Sequence, residues 1–379
     1  QLKDEVVIAN GTYAGLGNVE LVIDKDIIVR SASGNPSACL IDAGAAARCI
    51  SFSGATNAAI LKGIGLTNGR KSEGAGLYFS ESAGTILNCR ISGNVAIGQG
   101  GGGAWIEKNS SPQFWNTIFV SNSTSGVGVV GGALYVKGAS QPSFRNCLFT
   151  SNSGYDATVL YQDGSGTIGT FVNSIIWGNT GGTSGQRVQS GNGATLSVTY
   201  CNVEGNVPGT GNINVNPIFA DGEYRLAPIS ACVDAGSNAG VPAGLTEDRD
   251  GHLRIWDGNA DTNAIVDMGP FEYGSPSVTG IGDDVLPAGF RLLAASPNPM
   301  RTRSHISFKI PEGGRTFLVL YDLSGREIRV LIDAVLAEGQ QEIGWDGRDE
   351  AGHPVASGLY FLRLSWSGYN DIGKVLVVR

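Results

Sequence analysis

Histidine is almost missing. The chain has 379 residues and three histidines, His252, His305 and His353, scattered along the second half. A zinc site and a His-dependent catalytic triad are therefore not expected. Charge is scarce too, at 16% of residues, with 26 basic against 34 acidic side chains. No basic stripe exists, so nucleic acid is not an expected partner. The six cysteines are too few for a disulfide scaffold at this length, and none forms a CxxC or Cys/His pattern. No apolar run approaches the roughly 18 residues of a membrane-spanning helix, so no transmembrane segment is expected. No signal peptide is visible; the start Gln1-Leu2-Lys3-Asp4, without Met, suggests a processed mature terminus.

Glycine is the excess, with 57 residues, about twice the usual share. There is no G-X-Y period, and hydrophobic residues make up 41%. Collagen and disorder are therefore excluded, and a turn-dense all-β chain remains. Its length predicts two units.

An internal repeat dominates the first half. Asn88-CRISG-Asn94, Asn116-TIFVS-Asn122, Asn146-CLFTS-Asn152, Asn173-SIIWG-Asn179 and Tyr200-CNVEG-Asn206 align without gaps. Lys62-GIGLT-Asn68 is a looser sixth. The closing Asn recurs at 68, 94, 122, 152, 179 and 206, with steps of 26, 28, 30, 27 and 27. Alternation within each segment predicts a strand with one buried face. One such strand cannot bury itself, but stacking one per turn at about 4.8 Å creates a continuous core. This predicts a parallel β-helix of three strands per coil. The closing Asn is expected in a left-handed turn, its amide bonding its counterpart one coil away. Gly11-Thr12-Tyr13 through Ile23, then Ile27 to Arg30, reads as a first coil, and residues 1–23 are the candidate near cap.

Gly101-Gly102-Gly103-Ala104-Trp105-Ile106 and Gly131-Gly132-Ala133-Leu134-Tyr135-Val136 mark two middle coils. Ser111-Pro112 and Gln141-Pro142 follow, then Phe114 and Phe144. With Phe144-Arg145-Asn146-Cys147, this resembles polymorphic outer-membrane-protein repeats over about 60–210. The resemblance implies a β-helix exposed at a bacterial surface, often adhesive. Trp105 and Tyr135 occupy equivalent places. They read as a stabilising ring ladder or, alternatively, as ligand-facing aromatics for carbohydrate.

After Asn206 come Asn216-Pro217-Ile218-Phe219, Cys232-Val233-Asp234-Ala235-Gly236 and Asp267-Met268-Gly269-Pro270-Phe271-Glu272-Tyr273. This order resembles the closing domain called choice-of-anchor in bacterial β-helix surface proteins. Within it, Asp257, Asn259, Asp261 and Asn263, then Asp267, place oxygen carriers at alternate positions. Such a set suits a structural Ca²⁺; an ordinary Asx-rich turn is the other reading. Cys39 with Cys49, and Cys201 with Cys232 one coil apart, are candidate disulfide pairs. Cys89, Cys147 and Cys201 recur on alternate coils and read as buried small hydrophobes.

Residues 274–290 read as a linker. Six strands follow in 291–379: Ser304–Ile310, Thr316–Tyr321, Glu327–Ile332, Gln341–Trp345, Gly358–Ser365 and Lys374–Val378. That spacing predicts an Ig-like sandwich. Ser296-Pro297-Asn298-Pro299, Tyr321-Asp322-Leu323-Ser324-Gly325-Arg326, Trp345-Asp346-Gly347-Arg348-Asp349 and Gly358-Leu359-Tyr360-Phe361 resemble the type IX secretion sorting domain. They are similar to the Ig-like domain of the flagellar hook-cap protein as well. The resemblance implies export across an outer membrane, with the secretion machinery and the cell surface as partners.

Many β-helices are polysaccharide lyases or glycosidases, which need paired carboxylates or an acidic, cation-binding cluster. Between 85 and 205 the acids are only Glu107, Asp156, Asp163 and Glu204, and Glu107 has no acidic partner at equal phase on a neighbouring coil. No GxSxG, P-loop or HExxH is present. The expectation is all-β: a right-handed parallel β-helix with its closing region over 1–273, the linker 274–290, and an Ig-like sandwich over 291–379. Its expected role is that of an extracellular, non-enzymatic surface scaffold or adhesin, able to assemble with itself into fibres. A carbohydrate-active enzyme or glycan-binding protein is the alternative.

Overall fold

The structure, a computed structural model, describes residues 4–182, 187–259, 261–276, 290–322, 326–366 and 369–379. The chain divides into two compact units, Gln1–Gly244 with Asp267–Phe271, and Leu245–Val266 with Glu272–Arg379.

The first unit is a parallel β-solenoid of about seven coils over residues 5–203. Among the described residues, each main sheet takes one strand per coil. The first sheet has eight strands, from Glu5–Ile8 to Thr195–Thr199; the second has eight, from Gly11–Ala14 to Asn202–Val203. The third has seven, from Leu21–Ile23 to Val188–Gly191. Five coils add a narrow fourth sheet between the second and third, from Arg70–Glu73 to Thr180–Gly181. The alternating residues face inward as expected. Phe114, Phe144 and Phe171 stack in register with centroids 4.8 and 4.6 Å apart. Phe119 and Phe149 stack at 4.7 Å on the facing sheet. These spacings match the coil rise, so each ring lies flat on the next instead of filling a gap.

The asparagine column is present, with a different division of labour. Asn94, Asn122, Asn152 and Asn179 are buried. The side-chain amide of each of the first three donates to the Oδ1 one coil on, at 2.9, 3.1 and 2.9 Å. Of the six closing asparagines, Asn68 and Asn206 take the expected left-handed conformation, at φ +55° and +59°, but the four of the buried ladder do not, and around them it belongs to other positions. It is found at the opening residues Asn88, Asn116, Asn146, Asn173 and Tyr200, and just before the ladder at Gly93, Ser121, Ser151 and Gly178. Asn68 stands one place off: Gly69 is the residue in register with Asn94, and Asn68 bonds Asp42 at 3.0 Å. Asn206 is exposed and accepts the Asn214 amide at 3.0 Å.

Two further expectations are corrected. Residues 5–23 are not a cap; their strands pair with Ile28–Ser31, Cys39–Asp42 and Ile50–Ser53 as a regular coil. All six cysteines are buried free thiols, so neither Cys39–Cys49 nor Cys201–Cys232 is bonded. Cys147, Ser174 and Cys201 follow one another in one column: the Cys147 N–H donates to Ser174 Oγ at 3.1 Å and the Ser174 N–H to Cys201 Sγ at 3.3 Å. The thiols act there as small polar turn residues.

The closing segment of this unit lies along the outside of the second sheet. Asn173 exchanges two hydrogen bonds with the Ser237 backbone at 2.8 and 3.0 Å, and its carbonyl accepts the Gly269 N–H at 2.8 Å. Arg145 donates to the Gly240 carbonyl at 2.7 Å. A Cβ on Gly269 would fall 2.9 Å from Ile175, which points outward and is nonetheless buried.

The second unit contains two antiparallel sheets. One is Arg291–Ser296, Ser304–Ile310 and Gly339–Trp345; the other is Glu327–Leu336, Gly314–Tyr321, Gly358–Trp366 and Tyr369–Val377. Ile306, Phe308, Leu318, Leu320, Trp345, Leu362 and Leu364 form their shared core. Arg291–Ser296 is a strand beyond the six expected. Of the expected linker, 277–289 lies outside the described residues, as do Gln1, Leu2, Lys3, Ala260, Leu323, Ser324 and Gly325.

Candidate functional site

The outward face of the third sheet gathers the chemistry-bearing side chains. Strand register lines up Ser51, Tyr78, Trp105, Tyr135, Tyr161 and Gln189 in one column. Glu107, Lys137 and Asp163 lie two residues further along successive strands, with Lys137 in register with Asp163. Period two puts both columns on the same face.

The Gly-Gly runs make room for this column. Gly74, Gly101 and Gly131 take φ of +54°, +65° and +68°. A Cβ on Gly74 would come within 2.8 Å of Trp105 Cβ, and one on Gly131 within 2.3 Å of the Leu134 carbonyl oxygen. Only glycine allows both the turn and the close approach.

Trp105 and Tyr135 stack at 4.2 Å and 17°, and Tyr135 reaches Tyr161 at 5.2 Å. Lys137 lies 4.6 Å over the Trp105 ring, and the Arg48 guanidinium 4.3 Å over Tyr78. Trp105 is only 1% exposed, while Tyr78, Tyr135 and Tyr161 are half-buried. The stacked faces of Trp105 and Tyr135 are therefore taken by each other. Those two faces are closed to a stacking sugar.

The Tyr78 hydroxyl donates to Glu107 at 2.6 Å, and Lys137 approaches the other carboxylate oxygen at 3.3 Å. Burial pushes the Glu107 pKa up, but the bonds from Tyr78 and Lys137, with the Trp105 indole close by, outweigh it and hold the carboxyl below its usual range. Burial, then the Glu107 carboxylate, pushes the Tyr78 phenol up to about 12. Burial, then Tyr161 and Asp163, does the same to Tyr135. Asp163 accepts the Asn192 amide at 2.6 Å.

A comparison of acids on neighbouring coils misses one relationship here. Glu107 and Asp163 share a phase two coils apart, with Lys137 between them, a separation of about 9.6 Å. That lies at the wide end for an inverting glycosidase. Both Glu107 oxygens are already engaged, one by the Tyr78 hydroxyl and the other by Lys137.

The loop expected to suit a cation is built from local turns. Asp257 accepts the amides of Asp261 and Thr262 at 3.1 and 2.8 Å, Asn259 that of Asp261 at 2.9 Å, and Asp261 that of Asn263 at 2.8 Å. Asp267 is buried within the first unit, where it accepts the Asp234 amide at 2.7 Å. Among the described residues, no group of three or more His, Cys, Asp or Glu converges as a metal site.

Together the coils, the asparagine column and this flank define a right-handed parallel β-helix protein. The family model described as the right handed beta helix region matches residues 48–217. No curated protein matches the chain.

Proposed function

We propose that this chain is a non-enzymatic scaffold of a bacterial surface: an extracellular β-helix whose C-terminal sandwich serves export and anchoring. The observation that carries this reading is how the projecting polar side chains are used. They bond to the next coil. Glu107 holds Lys137 and Tyr78, Asp163 holds Asn192, Asp26 holds Thr56 at 2.8 Å, and Glu5 holds Arg30. Such bonding stiffens a rod and leaves little charge poised for chemistry. Assembly of rods into fibres is part of the proposal, because a heterologous contact need not close. The sorting-domain motifs over 296–379 support export and surface attachment.

A second reading is glycan binding or glycoside cleavage along the third sheet. The half-buried Tyr78, Tyr135 and Tyr161 in one column, beside Glu107 and Asp163, favour it. Negative-stain imaging of the purified full chain, with a glycan array and a polysaccharide-cleavage panel, separates the two. The scaffold reading expects rods or fibres and no cleavage. Product release abolished by Glu107→Gln would overturn it.

A further inference from the structure

The four-stranded sheet of the second unit is apolar on both faces. Leu318, Leu320, Leu362 and Leu364 point into the sandwich core. Val319, Tyr321 and Phe361 lie on the opposite face, with Phe317, Leu359 and Ile372 beside them. The strands accordingly read as unbroken apolar runs, Phe317-Leu318-Val319-Leu320-Tyr321 and Leu359-Tyr360-Phe361-Leu362, the pattern of a sheet covered on two sides.

The cover is Leu253 and Trp256, from a segment that precedes the sandwich in the chain. Trp256 is 3% exposed, Tyr321 5% and Phe361 3%. The Trp256 and Tyr321 rings meet at 4.7 Å. The Arg363 guanidinium lies 4.9 Å from the first ring and 5.2 Å from the second, so one cation holds both.

The segment is held in shape by bonds that do not involve the sheet. Buried Asp248 accepts the amides of Asp250 and His252 at 2.8 Å each and of Glu272 at 2.9 Å. Arg254 and Glu272 form a buried ion pair. The Leu253 N–H donates to Pro276 at 3.0 Å, and the Ser275 hydroxyl to the Leu253 carbonyl at 2.7 Å. Residues 245–256 and 272–276 thus form one preorganised clamp, which lowers the ordering cost of binding.

We propose that this clamp is a second, non-covalent attachment of the C-terminal sandwich, its partner surface being the sheet face of Val319, Tyr321, Phe361 and Arg363. Cutting the chain within 277–289 then leaves residues 290–379 bound as a separate subunit. The module is retained after processing instead of being shed. This holds whether or not the sandwich serves export, so its failure would leave the scaffold reading standing.

The test uses the full chain with a protease recognition sequence placed within 277–289. After complete cutting, size-exclusion chromatography at micromolar concentration is expected to show both fragments in one peak. Trp256→Ala is expected to speed fragment dissociation about a hundredfold, the size of a central aromatic anchor; Trp256→Phe should lie between. Immediate separation of the cut wild-type fragments, each still folded by circular dichroism, overturns the proposal. So does an unchanged fragment dissociation rate in the cut Trp256→Ala chain.

Discussion

The side-chain amide of Asn122 donates to Asn152 Oδ1 at 3.1 Å, and the backbone N–H of Asn122 donates to the same oxygen at 3.0 Å. One acceptor thus satisfies two buried donors of the coil before it. Asn122 Oδ1 does the same for Asn94, and its amide also donates to the Ile91 carbonyl at 2.8 Å.

Removing Asn122 should therefore be expensive. Asn122→Ala orphans the Asn94 donors and the Ile91 carbonyl, for a loss of about 3 kcal/mol or more. Asn206→Ala, at an exposed site off the ladder, should cost well under about 1 kcal/mol. Urea denaturation of both variants provides the comparison; equal losses would remove the ladder from the account of stability.

Glycine substitutions should separate by position. Gly131→Ala would force a Cβ to 2.3 Å from the Leu134 oxygen at φ +68°, whereas Gly128, at φ +77°, has nothing within 4 Å. The first should cost more than about 3 kcal/mol and the second about 1 kcal/mol, the backbone term alone. Thermal melts of the two variants are the check.

The Tyr78–Glu107 pair sets two pH windows. The Glu107 pKa is lowered on folding, so its contribution is present above the ordinary carboxylate value of 4.5 and is lost as pH falls through the folded value. The Tyr78 pKa is raised from 10.0 to about 12, so its contribution is present below pH 10 and is lost as pH rises toward 12. Tyr78→Phe should flatten part of the alkaline loss and Glu107→Gln part of the acid loss. Stability measured against pH in the three proteins tests both signs.

The thiols should be inert in the folded chain. Burial pushes Cys49 and Cys201 up to about 12 and Cys232 up to about 11. A thiol reagent at neutral pH should find all six protected until denaturant is added, and a reductant should leave the melting temperature unchanged. A melting temperature that falls on reduction would mean disulfides are present.

Breaking the Arg254–Glu272 pair should cost about 3–5 kcal/mol, because both side chains are 1% exposed and the survivor loses the opposite charge it is hydrogen-bonded to. Glu272→Gln and Arg254→Met should each lower the melting temperature sharply. The double variant Arg254→Met with Glu272→Leu should recover much of the loss.

Much of this molecule can be read from short patterns. Alternation in Cys89-Arg90-Ile91 and its repeats assigns strands, and the steps between closing asparagines predict coils, because side-chain direction follows chain position in a strand. The same reading places Asn68 in the ladder because it counts residues. A one-residue shift makes Gly69 the partner of Asn94, and register is settled by backbone pairing across coils. Trp105 and Tyr135 stand out in the sequence, whereas Arg48, Tyr78 and Tyr161 do not. Their meeting depends on which strands stack, and coils of unequal length hide that in any count of residues.

The local period, the turn residues and the apolar face are properties of neighbouring residues, and the sequence by itself determined that this chain winds into coils and ends in a β-sandwich. The packed structure alone decided which buried Asn bond, that Glu107 is held by Lys137 and Tyr78, and that Trp256 covers the sandwich sheet. Those outcomes depend on distances between residues far apart in the chain, where burial makes each partner's presence or absence count.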